Sequence, residues 1–283
     1  MNQDQYSNSS PNLGGESRSQ GKGLGMSNLI LHIPHASLHI PDYSGFLLPR
    51  DAVDAEALHL TDLYTNELFL SSTGDVVIQA DFSRVYCDVE RFKSDALEPM
   101  SQFGMGATYL RCDDGRELRW LSHKQREQIL QNFYEPHHAQ LTNAVDLALS
   151  TMGEAIIVDC HSYPATPLQC SLYRGDAQFD FNIGTDAFHT PPKWIDASVR
   201  FFADRGFRLG IDEPYAGSIV PIKHYQQNRK VKSIMLEINR GLYLGDSYSR
   251  GPHFSEIQRV VSDFLSMIRG LDRSSRISIR AIE

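Results

Sequence analysis

Ala155-Ile156-Ile157-Val158-Asp159-Cys160-His161-Ser162-Tyr163-Pro164 sends an apolar, mostly β-branched run straight into an Asp-Cys-His-Ser cluster that Pro164 then stops. A short continuous apolar run between breakers is the pattern of a strand buried on both faces, as in a parallel sheet. In open α/β sheets, ligands bind just beyond the carboxyl ends of the strands. Here that position holds Asp159 and His161, one residue apart. A hydrogen-bonded core histidine would satisfy the same pattern, so this segment alone leaves both readings open. The same construction, however, occurs twice more.

Its second instance is Asn28-Leu29-Ile30-Leu31-His32-Ile33-Pro34-His35-Ala36-Ser37. An apolar strand again runs into a loop, and the rigid Pro34 would aim the ring of His35. His32 lies inside the strand pattern and reads as packing, and His39 belongs to a departing loop. The third instance is Val231-Lys232-Ser233-Ile234-Met235-Leu236-Glu237-Ile238-Asn239-Arg240, where Glu237 sits in apolar company. A carboxylate in a buried strand is costly unless it is paired or bound to metal. Apolar surroundings also raise its pKa, as a general base working near neutral pH requires. A salt bridge to Arg240 is the alternative.

The bulk properties bound the answer. With 283 residues, 41% of them apolar, the chain suits one large α/β domain or two small ones. No internal repeat or linker interrupts it, so residues 28–283 are expected to form a single catalytic domain. Residues 1–27 are rich in Asn, Ser, Gly and Gln, and read as a flexible tail without the apolar core of a signal peptide. A net charge of -8 argues against nucleic acid or an anionic membrane as partner. No apolar run approaches the ~20 residues of a membrane span. Cys87, Cys112, Cys160 and Cys170 show no paired spacing, which points to reduced thiols and a cytoplasmic location. Cys160 reads as a small buried strand residue rather than a nucleophile.

Between these landmarks the pattern predicts a helix over 51–71, a strand over 75–80, an edge or half-buried strand over 82–92 and a helix over 122–152 capped by Ser122. Further strands are expected at 179–186 and 207–212, and helices at 192–205 and 254–268, the last followed by a polar tail. Asp62 falls inside the first helix as a solvated or capping acid, or as the oxygen ligand that a two-histidine zinc site needs. Arg84 and Arg91 either pair with Asp88 or Glu90, or clamp a substrate carboxylate bidentately, which Lys cannot do. Gly104 and Gly106 form no phosphate-binding loop, since no Gly-Lys-Ser/Thr follows them. His137 and His138 read as surface or packing residues of their helix. Two strand-end imidazoles and a carboxylate would leave zinc an open position, with a nearby Glu to move the proton. Metal-dependent hydrolysis therefore leads among the chemistries the spacing allows.

Six segments then occur in one order: Ile33-Pro34-His35-Ala36-Ser37, Thr61-Asp62, Ser83-Arg84 through Glu90-Arg91, Asp159-Cys160-His161-Ser162, Pro214-Tyr215-Ala216-Gly217-Ser218, and Glu237-Ile238-Asn239-Arg240-Gly241-Leu242-Tyr243. Together they resemble the N-formylglutamate amidohydrolase family, from Leu29 to Leu265. The resemblance implies a phosphorylase/hydrolase-like three-layer α/β/α fold with a mixed, largely parallel sheet, related to zinc carboxypeptidases. It implies hydrolysis of an N-formyl or other short N-acyl acidic amino acid, with formate and glutamate as products in the family's named reaction, a step of histidine degradation. It implies one zinc ion per chain held by His35, Asp62 and His161, with Glu237 as catalytic base. Arg84, Arg91, Arg111, Arg240, Gly217 and Ser218 match the family's substrate-binding segments. The partner is then a small carboxylated N-acyl amino acid. Two departures stand out: Glu90-Arg91 where the family often has Asn-Arg, and Ala36-Ser37 where Ser-Gly is usual. A carboxypeptidase-like or peptidoglycan-fragment amidase, and a non-catalytic carboxylate-binding relative, are the alternatives on the same scaffold.

Overall fold

Six strands form one sheet in the order β2-β1-β3-β6-β4-β5. In chain order they are β1 (Leu29–Ile33), β2 (Val76–Gln79), β3 (Ala155–Tyr163), β4 (Phe181–Gly184), β5 (Leu209–Ile211) and β6 (Val231–Asn239). The computed structural model describes residues 27–280 apart from 174, 176 and 177, and backbone alone from 272 onward. The tail expected over 1–27 thus lies outside the described residues but for its last position. β2, β1, β3 and β6 run parallel, β4 is antiparallel to β6, and β5 is parallel to β4. The sheet is mixed and mostly parallel, with helices on both sides, as a three-layer α/β/α fold requires.

β3 lies in the middle and is buried along its whole length, which is why its sequence reads as a continuous apolar run. Successive side chains of a strand point to opposite faces. Leu29, Leu31, Ile156, Val158, Cys160, Ile234, Leu236 and Ile238 all go to one face, under α5 (Pro192–Ala203) and α6 (Phe254–Arg280). Ile30, Ala155, Ile157 and Val231 go to the other, under α4 (Glu135–Met152) through Leu141, Val145 and Ala148. Continued to the carboxyl ends, the second alternation places His32, Asp159, His161 and Glu237 on the α4 side. Cys160 points the other way, into the apolar layer, where burial pushes its thiol far above the ordinary range.

The structure revises four local expectations. The helix predicted over 51–71 stops at α1 (Arg50–Leu60), and a single turn, α2 (Thr65–Leu68), follows after a break. At the break Thr61 is extended, Tyr64 is left-handed at φ 63°, and the Asp62 amide donates to the His35 carbonyl instead of continuing the helix. Residues 82–92 form no strand: turns closed by Ser83 and Asp88 carbonyls fold the segment inward, and its polar residues Ser83 and Asp88 are buried rather than edge-exposed. The helix over 122–152 begins with the expected Ser122 cap, in a reciprocal capping box with Gln125. It then widens into a π-turn at Leu130–Tyr134 between α3 (His123–Ile129) and α4, just ahead of Pro136, whose ring would clash with the carbonyl four residues back in a regular helix. Finally, α6 continues through Arg280, beyond the end at 268 that its apolar pattern suggests.

Candidate active site

Four chain segments converge where the parallel strands end. The loop after β1 delivers His35, the α1–α2 break delivers Asp62, β3 delivers His161, and β6 delivers Glu237. In the β3–β6 register His161 pairs directly with Glu237. His35, Asp62 and His161 each present one ligand atom within 4.8 Å of the others, and all three are buried. The rings of His35 and His161 are 5.1 Å apart.

Each histidine is anchored through one nitrogen and aims the other at Asp62. His35 Nε2 donates to Asp88 Oδ1 at 2.8 Å, and its Nδ1 lies 3.6 Å from Asp62 Oδ2. His161 Nε2 donates to Asp159 Oδ1 at 3.0 Å, and its Nδ1 lies 3.2 Å from the same Asp62 oxygen. Metal-ligating histidines are oriented in this way, the second ring N–H held by a carboxylate. His35 Nδ1 is buried without any hydrogen-bond partner. A lone pair facing a carboxylate oxygen is repulsive unless a cation sits between them. Two imidazoles and one carboxylate are a donor set suited to zinc, so the residues fit the group.

Asp62 is held in turn by Arg240, whose Nη2 donates to Asp62 Oδ1 at 2.8 Å. The same guanidinium donates to the carbonyls of His59 and Leu60, at 3.1 and 3.4 Å, which would otherwise be orphaned at the end of α1. Arg240 therefore both ends the helix and sets the acid that follows it. Burial opposes ionisation of Asp62, but His161, His35 and Arg240 outweigh it and hold the carboxyl well below the usual range. Burial likewise opposes charging of His161, yet Asp159, Asp62 and Glu237 together raise its pKa well above the imidazole norm. That is the signature of a position built to hold positive charge.

Glu237 is the reverse case. Its Oε2 is buried with no hydrogen-bond partner, and burial pushes its carboxyl up to about 8. The salt bridge to Arg240 that the sequence allowed is not made: Arg240 spends its donors on Asp62, Ser162 and the α1 carbonyls.

The remaining predicted residues divide. Arg84 reaches the centre, with Nη1 3.6 Å from Asp62 Oδ1 and Nη2 3.0 Å from Asp88 Oδ2. Arg91 stands beside it, its Nε 3.5 Å from the same Asp88 oxygen. Both therefore pair with Asp88, and neither with Glu90. Arg111 is exposed and donates to the Gly115 carbonyl at 3.0 Å, so the structure does not bring it to the cluster. Gly217 is left-handed at φ 88°, as its turn requires, and the Ser218 hydroxyl bonds that of Ser233, four residues before Glu237 on β6. Their loop reaches the site instead through the Ile219 amide, which donates to Asp159 Oδ2 at 3.0 Å.

The sequence placed Asp159 at the strand end and offered Asp88 as an ion-pair partner of the arginines, a pairing the structure makes, but it gave neither acid the role of anchoring a histidine. For Asp159 a signal was present: residues two apart on a strand share a face, so Asp159 had to stand beside His161. Asp88 carried no comparable signal, because its segment is irregular. His32, which reads as packing, is a buried partner of Asp159, and His137, which reads as surface or packing, is a buried partner of His32.

The profile of the N-formylglutamate amidohydrolase family matches residues 27–244. The chain belongs to that family. Its fold is shared with a crystal structure of N-formylglutamate amidohydrolase from Ralstonia eutropha, at a TM-score of 0.77 and 22% identity over 89% of this chain and 96% of that one. A gene product of Agrobacterium tumefaciens aligns at a TM-score of 0.59 and 18% identity, over 85% of this chain and 91% of that one. No curated protein sequence matches. The family is one of amide-hydrolysing enzymes, and a hydrolytic site at the carboxyl ends of the strands agrees with it. Among the described residues no helix is long and apolar enough to cross a membrane.

Proposed function

We propose that this family member is a zinc-dependent hydrolase of N-formyl-L-glutamate, releasing formate and glutamate as a step of histidine degradation in the cytoplasm. The observation that carries the reading is the pair of anchored histidines whose free nitrogens converge on Asp62, beside an unpartnered Glu237. His35, Asp62 and His161 would hold one zinc ion, all within a single catalytic domain spanning 28–283. A bound zinc ion supplies Lewis acidity, polarising the amide carbonyl and making water a better nucleophile near neutral pH.

The protein's own groups do the rest. Glu237 Oε2 accepts a proton from the water as its oxygen attacks the formyl carbon. It returns that proton to the amide nitrogen as the C–N bond breaks, so the amine leaves neutral. Asp88 and Asp159 keep the two imidazoles in the tautomer that frees their Nδ1 atoms. Arg84 and Arg91, both partly exposed, would take the substrate carboxylates. Their partner Asp88 is shared between them and His35, which leaves guanidinium donors over for an anion. Gly217, Ser218 and Arg111 would act through the shape of the loops they hold, and Arg240 through Asp62.

The test is elemental analysis of the purified protein together with a parallel assay of N-formyl-glutamate, N-acetyl-glutamate and small peptides. At least one zinc per chain and preferred turnover of the formyl substrate is the expected result. Preferred turnover of peptides would transfer the reading to a carboxypeptidase-like or peptidoglycan-fragment amidase, and no turnover at all to a carboxylate-binding relative.

A further inference from the structure

Immediately beside this centre, on the far side of the His161 ring, lies a second group of potential ligands. His32 Nδ1 is 2.8 Å from Asp159 Oδ1 and 3.0 Å from Glu90 Oε1. These three atoms lie within 4.8 Å of one another, His32 and Asp159 buried and Glu90 half-buried. Three features set the group apart from an ordinary buried ion pair. First, Glu90 Oε1 is itself buried and has no hydrogen-bond partner, although it faces two imidazoles, the second being His161 with its Nε2 at 3.9 Å. Second, both carboxylates converge on His32 Nδ1, and the other imidazole within reach, His161, is already held between Asp159 and the Asp62 of the first centre. Third, His32 repeats the construction of His35 and His161: its Nε2 is anchored, here on His137 Nε2 at 2.8 Å, and its Nδ1 is aimed at carboxylate oxygens. With Nε2 engaged by His137, Nδ1 is the His32 nitrogen that faces the two carboxylates, and a cation bound there would take the place of its proton.

We propose that His32, Glu90 and Asp159 form a second divalent-cation site, separated from the first by the ring of His161. A divalent ion neutralises the two carboxylates and gives the orphaned Glu90 oxygen a partner. Donors about 2.0–2.2 Å from one ion stand about 3–3.5 Å apart, close to the spacing found here. One nitrogen with two carboxylate oxygens is a harder donor set than that of the first centre, and suits Mn²⁺ or Zn²⁺. Asp159 Oδ1 has a lone pair for the ion and another for the His161 Nε2 proton, while its Oδ2 stays on the Ile219 amide. The two sites therefore share a carboxylate, and filling one alters how firmly the other's histidine is held.

The test is metal stoichiometry, independent of catalysis. Full-length protein stripped with a chelator is titrated with Zn²⁺ and, separately, with Mn²⁺, desalted, and its metal counted per chain for the wild type, Glu90→Gln and His35→Ala. Melting temperatures verify that the variants are folded; Glu90 is half-buried in an irregular segment and tolerates the isosteric amide. Two equivalents in the wild type, one of them lost in Glu90→Gln and the other in His35→Ala, is the expected result. One equivalent that His35→Ala removes and Glu90→Gln leaves overturns the second site and keeps the first. One equivalent lost only in Glu90→Gln keeps the second site and overturns the first. No metal bound by the wild type overturns both.

Discussion

Strands β3 and β6 carry two different surfaces on alternate residues of the same sequence. On the side of α5 and α6, the face is apolar through the middle of both strands, at Ile156, Val158 and Cys160 and at Ile234, Leu236 and Ile238. On the side of α4, Ala155, Ile157 and Val231 are apolar at the beginnings, but Asp159, His161 and Glu237 take over at the carboxyl ends. One face is a uniform core; the other changes from core to charge within a few residues. The uniform face makes the backbone positions rigid, and the changing face uses that rigidity to hold groups that water would otherwise solvate. The ionisable side stays folded because each charge has a partner or a cation to meet, and because its backbone is fixed from behind.

If that division of labour is right, mutations on the two faces should fail differently. The largest effect is expected at His161. His161→Ala should lose the first-centre metal and reduce hydrolysis by about four orders of magnitude or more, comparable to removal of an essential unit in other hydrolases. Retention of both would end the role. Glu237→Gln should lower kcat by about 10²- to 10⁴-fold, the range for loss of a general base, while metal content is unchanged. Its effect on stability has a defined sign. The folded pKa of Glu237 is raised to about 8, above that of an unfolded glutamate, so its contribution is fully present below the unfolded value and is lost as pH rises through about 8. In metal-free protein the amide variant should therefore become the more stable of the two on the alkaline side. Denaturant titrations at pH 5 and pH 8 check this; an identical pH dependence in both proteins would mean that the carboxyl is not held protonated by the fold.

On the opposite face, Ile234→Ala should cost about 2–5 kcal/mol in unfolding free energy, as large-to-small core substitutions do. Metal per folded chain and kcat should stay at wild-type values. If kcat fell in proportion to the lost stability, the apolar face would be part of the chemistry and the comparison would collapse.

The contrast also explains what could be read from the sequence. The strands of the central sheet, their order of appearance and the carboxyl-end positions of His35, His161 and Glu237 follow from apolar runs and breakers, which report local burial directly. The position of Asp62 was legible, but its setting was not. The helix predicted across it is broken by Arg240, a residue 178 positions away that caps α1 and binds the acid. No local pattern reports a partner so distant. The 82–92 segment misled for a related reason. Its alternation of apolar and polar residues resembles a strand, yet its polar side turns inward because Asp88 meets His35, Arg84 and Tyr109 there. His32 was read as packing because a histidine inside an apolar run looks like filler until its neighbours are known.

Asp88→Asn sharpens the comparison within the charged face itself. Asp88 is not among the proposed ligands, but it fixes the His35 ring and neutralises Arg84 and Arg91. Burial opposes its ionisation, and Arg84, His35 and Arg91 overcome it, so the carboxylate is charged throughout the working pH range. The amide should weaken metal binding at the first centre by about 10- to 100-fold, the usual cost of losing a carboxylate behind a ligating histidine. Competition with a chromophoric chelator measures it. An unchanged affinity would show that His35 needs no support behind it.

The smallest effect is expected one step further out, at Tyr109→Phe. The Tyr109 hydroxyl donates to Asp88 Oδ2 at 2.6 Å and accepts from Arg84 Nε at 3.1 Å, so it ties the carboxylate to one of its guanidinium partners. Removing it leaves Asp88 Oδ2 still bonded to Arg84 through Nε and Nη2, and Oδ1 still bonded to His35. No buried charge loses its counter-ion, and the phenyl ring keeps the volume that Tyr109 fills in the core around Val85 and Met105. The loss should therefore be close to that of one hydrogen bond, about 1 kcal/mol in stability, with metal affinity within a few-fold of wild type. A loss of metal affinity as large as that of Asp88→Asn would place the hydroxyl in control of the His35 ring. The support behind that ligand would then be a network that works only when complete, rather than a single carboxylate.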